Sequence, residues 1–149
     1  MSLIGDILPE NHIILNLDVG SKKRVFEQVG VLLENHLGIL RAEVFDCLFA
    51  REKLGSTGLG QGVAIPHGCI KSLKETVGVF VRTKEPIPFD APDGQPVQLM
   101  FVLLAPQQEN NDSHLQILSD LAQKFASKEI LEKLKTAQDA ATVRQIFIG

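Results

Sequence analysis

Tryptophan and tyrosine are absent, and phenylalanine, with eight copies in 149 residues, stands alone in their class. Surfaces that grip sugar rings or single-stranded nucleic acid lean on exposed aromatic platforms, so direct recognition of either is disfavoured. An excess of positive charge is missing too. Fifteen Lys and Arg face 18 Asp and Glu, for a net charge of -3, and nothing resembles an electrostatic footprint for nucleic acid. The Lys22, Lys23 and Arg24 run reads as the solvated face of a helix start. Two cysteines, Cys47 and Cys69, cannot make a disulfide framework and suit a reducing compartment. No long apolar run exists either: the longest uncharged stretch, residues 54–70 with His67 neutral, is broken by five glycines and Pro66. It cannot be a membrane helix. The opening MSLIGDILPENH has no positive n-region and carries Asp6, so a signal peptide is not expected. The expectation is a soluble, cytoplasmic protein.

What is present fits one globular domain. The chain is 44% hydrophobic and 22% charged, long enough to bury a core without staples. Residues 12–17 read as a strand. Ser21 is placed to cap a helix with Val25, Val29, Leu32 and Leu33 on one face, stopped by Gly38. A second helix over about 42–53 buries Val44, Phe45 and Leu48, ends at Gly55, and carries Arg51 and Lys53 in its last turn. Residues 63–65 form a short strand ended by Pro66. Strands are expected over 77–82 and 97–104, the latter apolar throughout and so central. Asp93-Gly94 between them signals a hairpin. In the C-terminal third, Asp112 or Ser113 caps a helix that turns Leu115, Leu118, Leu121, Ala122 and Phe125 inward. Ser127 and Asp139 each cap another. No repeat or linker divides the chain, which reads as a single α/β domain, 1–149, with a mixed sheet.

The chemistry concentrates in GLGQGVAIPHG, residues 58–68. Gly55, Gly58, Gly60 and Gly62 allow positive φ and close approach, and consecutive N–H groups in such a loop can form an anion-binding nest. A plain glycine-rich connection fits the composition equally well. The spacing is wrong for a dinucleotide fingerprint, and the Gly-Lys-Ser/Thr of a P-loop is missing. His67 sits between Pro66, which restricts the backbone and lacks an N–H, and Gly68, which leaves the other side open. If one imidazole nitrogen is fixed by an acceptor, the other becomes an oriented nucleophile. A phosphoryl group is the electrophile a nest would welcome. Phosphoryl transfer needs donors and cations more than covalent chemistry. Arg51 offers a bidentate fork, Ser56 and Thr57 offer hydroxyls, and His114 adds an imidazole near a helix N-terminus.

Each has a plainer reading. Arg51 also complements a helix C-terminus, and His114 also fits a surface cap. His12 and His36 lack companions and read as structural. His67-x-Cys69 lacks the second ligand pair of a zinc site and the assembled base and oxyanion hole of a cysteine hydrolase; Cys69 reads as a packed residue.

REKLGSTG (51–58) running into GQGVAIPHG (60–68) resembles the phosphohistidine signature of phosphotransferase-system IIA domains of the fructose/mannitol type. SKKRV (21–25), FDAPDGQPV (89–97) and HLQILSDLA (114–122) are similar to its nitrogen-regulatory branch. The resemblance implies a mixed, about five-stranded sheet flanked by helices on both faces. It implies that His67 accepts a phosphoryl group at Nε2 from an HPr-like histidine phosphocarrier, itself fed by an enzyme I. It further implies that Arg51 and His114 stabilise the group, with no cofactor and no metal. Downstream, the nitrogen branch regulates target proteins by phosphorylation state, whereas the sugar branch passes the group to a IIB domain. A non-catalytic anion-binding module is the remaining alternative. Members of the family often carry a basic residue two positions after the histidine, where this chain has Cys69.

Overall fold

Alternation along the strands divides the core in two. In the computed structural model, which describes residues 3–107 and 112–149, Leu99, Phe101 and Leu103 pack on one face of the sheet while Met100, Val102 and Leu104 pack on the other. All six lie on β6 (Val97–Pro106), buried along nearly its whole length and paired on both edges. A strand apolar at every position needs cover on both faces, and helices supply it. On one face lie α2 (Lys22–Leu37) and α3 (Arg41–Leu54); on the other lie α1 (Leu3–Ile7), α4 (Asp112–Phe125), α5 (Lys128–Thr136) and α6 (Ala140–Ile148).

The sheet is mixed, ordered β1-β5-β6-β3-β2, with β2 over Gly58–Gly60 and β4 also on β6. Strand β5 (Val77–Ile87) is antiparallel to β6, and β1 (Ile13–Leu17) runs parallel to β5. Strands β3 (Val63–Ala64) and β4 (His67–Ile70) both run parallel to β6 in one unbroken register, Val63 opposite Leu99 and His67 opposite Leu103. They are two halves of one row, so six strands occupy the five rows expected. Between them the Pro66 carbonyl still accepts from Leu103 N at 2.9 Å. Proline interrupts the strand without ending it.

Three of the expected caps are in place. Ser21, Ser127 and Asp139 accept from the backbone N–H of Arg24, Ile130 and Thr142, each satisfying a helix-end donor. Gly38 closes α2 at φ 72°. The side chains of Asp112 and Ser113 lie outside the described residues. Helix α3 has no side-chain cap at Leu40; Glu34 reaches from α2 and accepts from Arg41 N at 3.0 Å. On α4 the phase differs from expectation. Ile117, Leu121 and Phe125 form the buried stripe and Leu118 is half-buried, whereas Leu115 is 61% exposed and Ala122 is exposed. The Asp93-Gly94 turn exists, but β5 and β6 are joined by the whole 88–96 loop rather than a tight hairpin. No described helix is long and apolar enough to cross a membrane.

Arg82 of β5, almost fully buried, donates to the carbonyls of Leu134 and Ala137, both at 2.8 Å. It thereby closes the C-terminal end of α5, whose last carbonyls have no intrahelical donors. His12 is buried just before β1. Its Nδ1 donates to Gly78 O at 3.0 Å and its ring stacks on His36 at 5.3 Å. Burial, together with repulsion from His36, holds its pKa below the ordinary 6.5 despite the Gly78 bond. Below that value the unfolded chain takes up a proton that the folded state refuses, so stability falls with pH. The urea midpoint should drop between about pH 7.5 and about pH 5.5, and drop less in His12→Asn. Equal drops in the two proteins would contradict this assignment.

Candidate functional site

The glycines after α3 build a hairpin. Strand β2 (Gly58–Gly60) pairs antiparallel with β3, and the two residues between them, Gln61 and Gly62, have φ of 58° and 81°. Two successive positive φ values mark the type I′ turn that matches strand twist. Gly58 also lets β2 approach the 88–96 loop, since a Cβ there would lie 2.8 Å from Ala91 Cβ. The amides are used internally: Gly58 N donates to Ser56 Oγ at 3.1 Å and Gln61 N to Asp93 Oδ2 at 2.9 Å. The anion nest expected from the glycine spacing gives way to a hairpin. The hydroxyls are committed as well. Ser56 Oγ donates to Phe89 O and Thr57 Oγ1 to Glu52 Oε1, both at 2.7 Å. Framework acceptors hold both hydroxyl protons in this structure.

Beyond Pro66 the chain re-enters the strand, so His67 opens β4 rather than sitting in a loop. Its half-buried ring is fixed by one bond, 2.6 Å between Nδ1 and Ile65 O. A carbonyl can only accept, so Nδ1 carries the proton and Nε2 keeps its lone pair. That is the tautomer of a nucleophile aimed through Nε2.

Strand alternation puts His67 on the α4 side, where His114 of α4 meets it with ring centroids 6.2 Å apart, tilted 53°. Burial foremost, then the neighbouring His67, holds the His114 pKa below 6.5. Its Nδ1 is buried with no hydrogen-bond partner among the described residues. A stranded lone pair is better tolerated than a stranded N–H, which favours the proton on Nε2. Arg51 is half-buried in the last turn of α3, and its Nη1 donates to Gly55 O at 2.9 Å. The two imidazoles are thus brought together, whereas the described bond of Arg51 goes to the neck of the hairpin.

Gly68, expected to leave an open side, faces α3 instead. A Cβ there would stand 2.5 Å from Cys47 Sγ. The Cys47 thiol donates to Cys69 O at 3.3 Å, and burial pushes its pKa up to about 11. Cys69 is not packed as expected; it is exposed, on the same side of β4 as His67. Access to His67 is therefore from the α4 side. A cleft of about 710 Å³ among α1, α4 and α6 shares no lining residue with the histidine pair. Chemistry, not cavity size, marks the site.

Sequence reasoning passed over Glu52, which is 7% exposed. It follows Val44 and Leu48 at intervals of four, so it falls on the buried stripe of α3. A carboxylate on an apolar stripe was the available signal. It accepts from Thr57 N, Thr57 Oγ1 and Lys22 Nζ.

Residues 6–148 match the family described as phosphoenolpyruvate-dependent sugar phosphotransferase system, EIIA 2. The chain belongs to this family. The structure of this EIIA 2 domain is similar to the crystal structure of the nitrogen regulatory protein IIA-Ntr from Neisseria meningitidis, with TM-score 0.93 and 57% identity over 98% of this chain and 99% of that one. The nitrogen regulatory protein of Bradyrhizobium diazoefficiens is 38% identical over 97% of this chain and 94% of its own. The mannitol IIA of Escherichia coli, at 23% identity, shares the fold with TM-score 0.78 across 94% of this chain and 98% of that one.

Proposed function

We propose that this EIIA 2 domain is a phosphohistidine carrier of the nitrogen-regulatory relay. It accepts a phosphoryl group on His67 from an HPr-like carrier in the cytoplasm and controls target proteins through its phosphorylation state. The observation that carries this reading is the bond from His67 Nδ1 to Ile65 O, which leaves Nε2 with a directed lone pair. In the step itself, that lone pair forms the new N–P bond in line with the breaking N–P bond of the donor phosphohistidine. The departing electron pair returns to the donor's ring nitrogen. Nδ1 keeps its proton throughout, and Ile65 O stabilises the positive charge that develops on the ring. No separate base is needed, because Nε2 has no proton to lose.

His114, neutral and adjacent, supplies an Nε2–H to an equatorial phosphoryl oxygen. Arg51 has guanidinium N–H groups besides the one on Gly55 O and adds positive charge from the α3 end. The similarity to nitrogen regulatory proteins over nearly the whole chain favours the regulatory branch over a sugar-specific subunit serving a IIB domain.

The test is incubation with phosphoenolpyruvate, enzyme I and an HPr-like carrier, followed by intact-mass measurement. The mass should rise by one phosphoryl group and return to its starting value after acid treatment. An unchanged mass, or an acid-stable gain, would refute the assignment. Presenting the labelled domain to IIB domains reads the branch, because a sugar-specific subunit would discharge to one of them.

A further inference from the structure

We propose that Glu52 is a positioning residue for His67, acting through Thr57 and Ile65 rather than by touching the phosphoryl group. This deepens the reading of His67 as the acceptor and rests on it. The bonds form one continuous chain. Lys22 Nζ donates to Glu52 Oε2 at 3.0 Å. Thr57 donates to the same carboxylate twice, through N to Oε2 at 3.1 Å and through Oγ1 to Oε1 at 2.7 Å. Thr57 O then accepts from Ile65 N at 3.1 Å, and Ile65 O accepts from His67 Nδ1 at 2.6 Å. The group that selects the His67 tautomer is therefore one peptide away from the strand pairing that Glu52 anchors.

The anchor is built to hold position. The Glu52 side chain is 3% exposed, and a buried carboxylate is tolerated only when paired and hydrogen-bonded. Lys22 supplies the pairing charge from the first turn of α2. The same lysine lies over the Phe89 ring, 4.9 Å from its centroid, and reaches Phe89 O at 3.4 Å. Ser56 Oγ donates to that same carbonyl. Helix α2, helix α3, the 88–96 loop and the hairpin are thus tied at one point beneath Thr57. Charge-assisted bonds to a dry carboxylate are shorter and stronger than neutral ones, which suits a site where a small displacement of the nucleophile is costly.

In Glu52→Gln the charge paired with Lys22 is lost. If the amide oxygen keeps Thr57 N, the amide N–H must face Thr57 Oγ1, so the hydroxyl has to reverse from donor to acceptor and the charge-assisted bond becomes a neutral one. Thr57→Val removes only the hydroxyl bond and serves if Glu52→Gln does not fold. Glu52→Asp keeps the charge one methylene further back. The readouts are the neutral tautomer of His67, from ring nitrogen shifts, and single-turnover phosphotransfer from the HPr-like carrier. Wild type should hold the Nδ1–H form. Glu52→Gln, or Thr57→Val, should move His67 toward the mixture of a free imidazole and lower kcat about 10- to 100-fold with KM for the carrier unchanged. Glu52→Asp should recover part of both.

A folded variant with wild-type ring shifts overturns the proposal even if its rate falls. So does a rise in KM with kcat intact. The tautomer is read without any transfer, so failure of wild type to label at His67 would sink the acceptor assignment separately.

Discussion

His67→Ala should take up no acid-labile phosphoryl group from the relay and should still fold like the wild type. The substitution removes a half-buried ring whose described hydrogen bond is the one to Ile65 O. It leaves both core clusters intact, because His67 belongs to neither. No other imidazole is a substitute. His12 is buried with Nδ1 on Gly78 O. His114 is held in place by α4 with Nδ1 buried and without a partner among the described residues, and no described carbonyl fixes its tautomer. His36 is on α2, stacked against His12 rather than beside β4. The expected loss in transfer rate is about 10³-fold or more, as when a nucleophile is removed outright. Mass measurement before and after acid checks it. Labelling retained at His114 would move the acceptor assignment to that ring.

How far the sequence discloses this site depends on distance along the chain. Ser21, Ser127 and Asp139 were readable as caps because each bonds an amide three residues on, within one helical turn. The centre of the sheet was readable because β6 carries apolar residues on both faces. His67 itself stood out through Pro66 and Gly68. What failed was inference about surroundings. A cradle was expected from Gly58, Gly60 and Gly62, yet the amide at Gln61 is answered by Asp93, across a connection that spacing does not reveal. Ser56 and Thr57 looked free because Phe89 and Glu52 become their partners only after α3 turns back. Pro66 reads as a strand end until β6 offers a Leu103 N–H to its carbonyl. Leu115 looked inward because its neighbours on α4 suggested a phase that only the packing of Ile117 and Leu121 settles. Local chemistry singled out His67; long-range pairing determines what holds its ring.

Phe147→Ala tests how the sheet face below the histidine pair is held. Phe147 of α6 is fully buried, and three other rings meet it edge-on: Phe101 at 5.3 Å, Phe80 at 5.4 Å and Phe125 at 6.0 Å between centroids. Each comes from a different element, so this one ring joins β5, β6 and α4 to α6. Removing it forfeits its transfer energy and opens a cavity that relaxes little. Helix α6 is also pinned, because Arg144 donates to Leu8 O at 2.8 Å and to Gly5 O at 3.0 Å. The helix cannot slide inward to fill the space, so the cost should fall in the range of about 3–5 kcal/mol for such truncations. Edge-to-face pairs add to area burial, which favours the upper half. Against a total of about 5–15 kcal/mol for a domain, that is a large share. Urea denaturation should show a much lower midpoint with an unchanged slope, the mark of lost stability without a change in the surface exposed. Phe147→Leu should cost less than half as much, because a branched aliphatic chain refills part of the cavity. The His67–Ile65 bond belongs to the β3–β4 row, so the folded fraction of Phe147→Ala should still accept the phosphoryl group. A loss below about 1 kcal/mol would mean that α6 does move, and that Arg144 does not pin it.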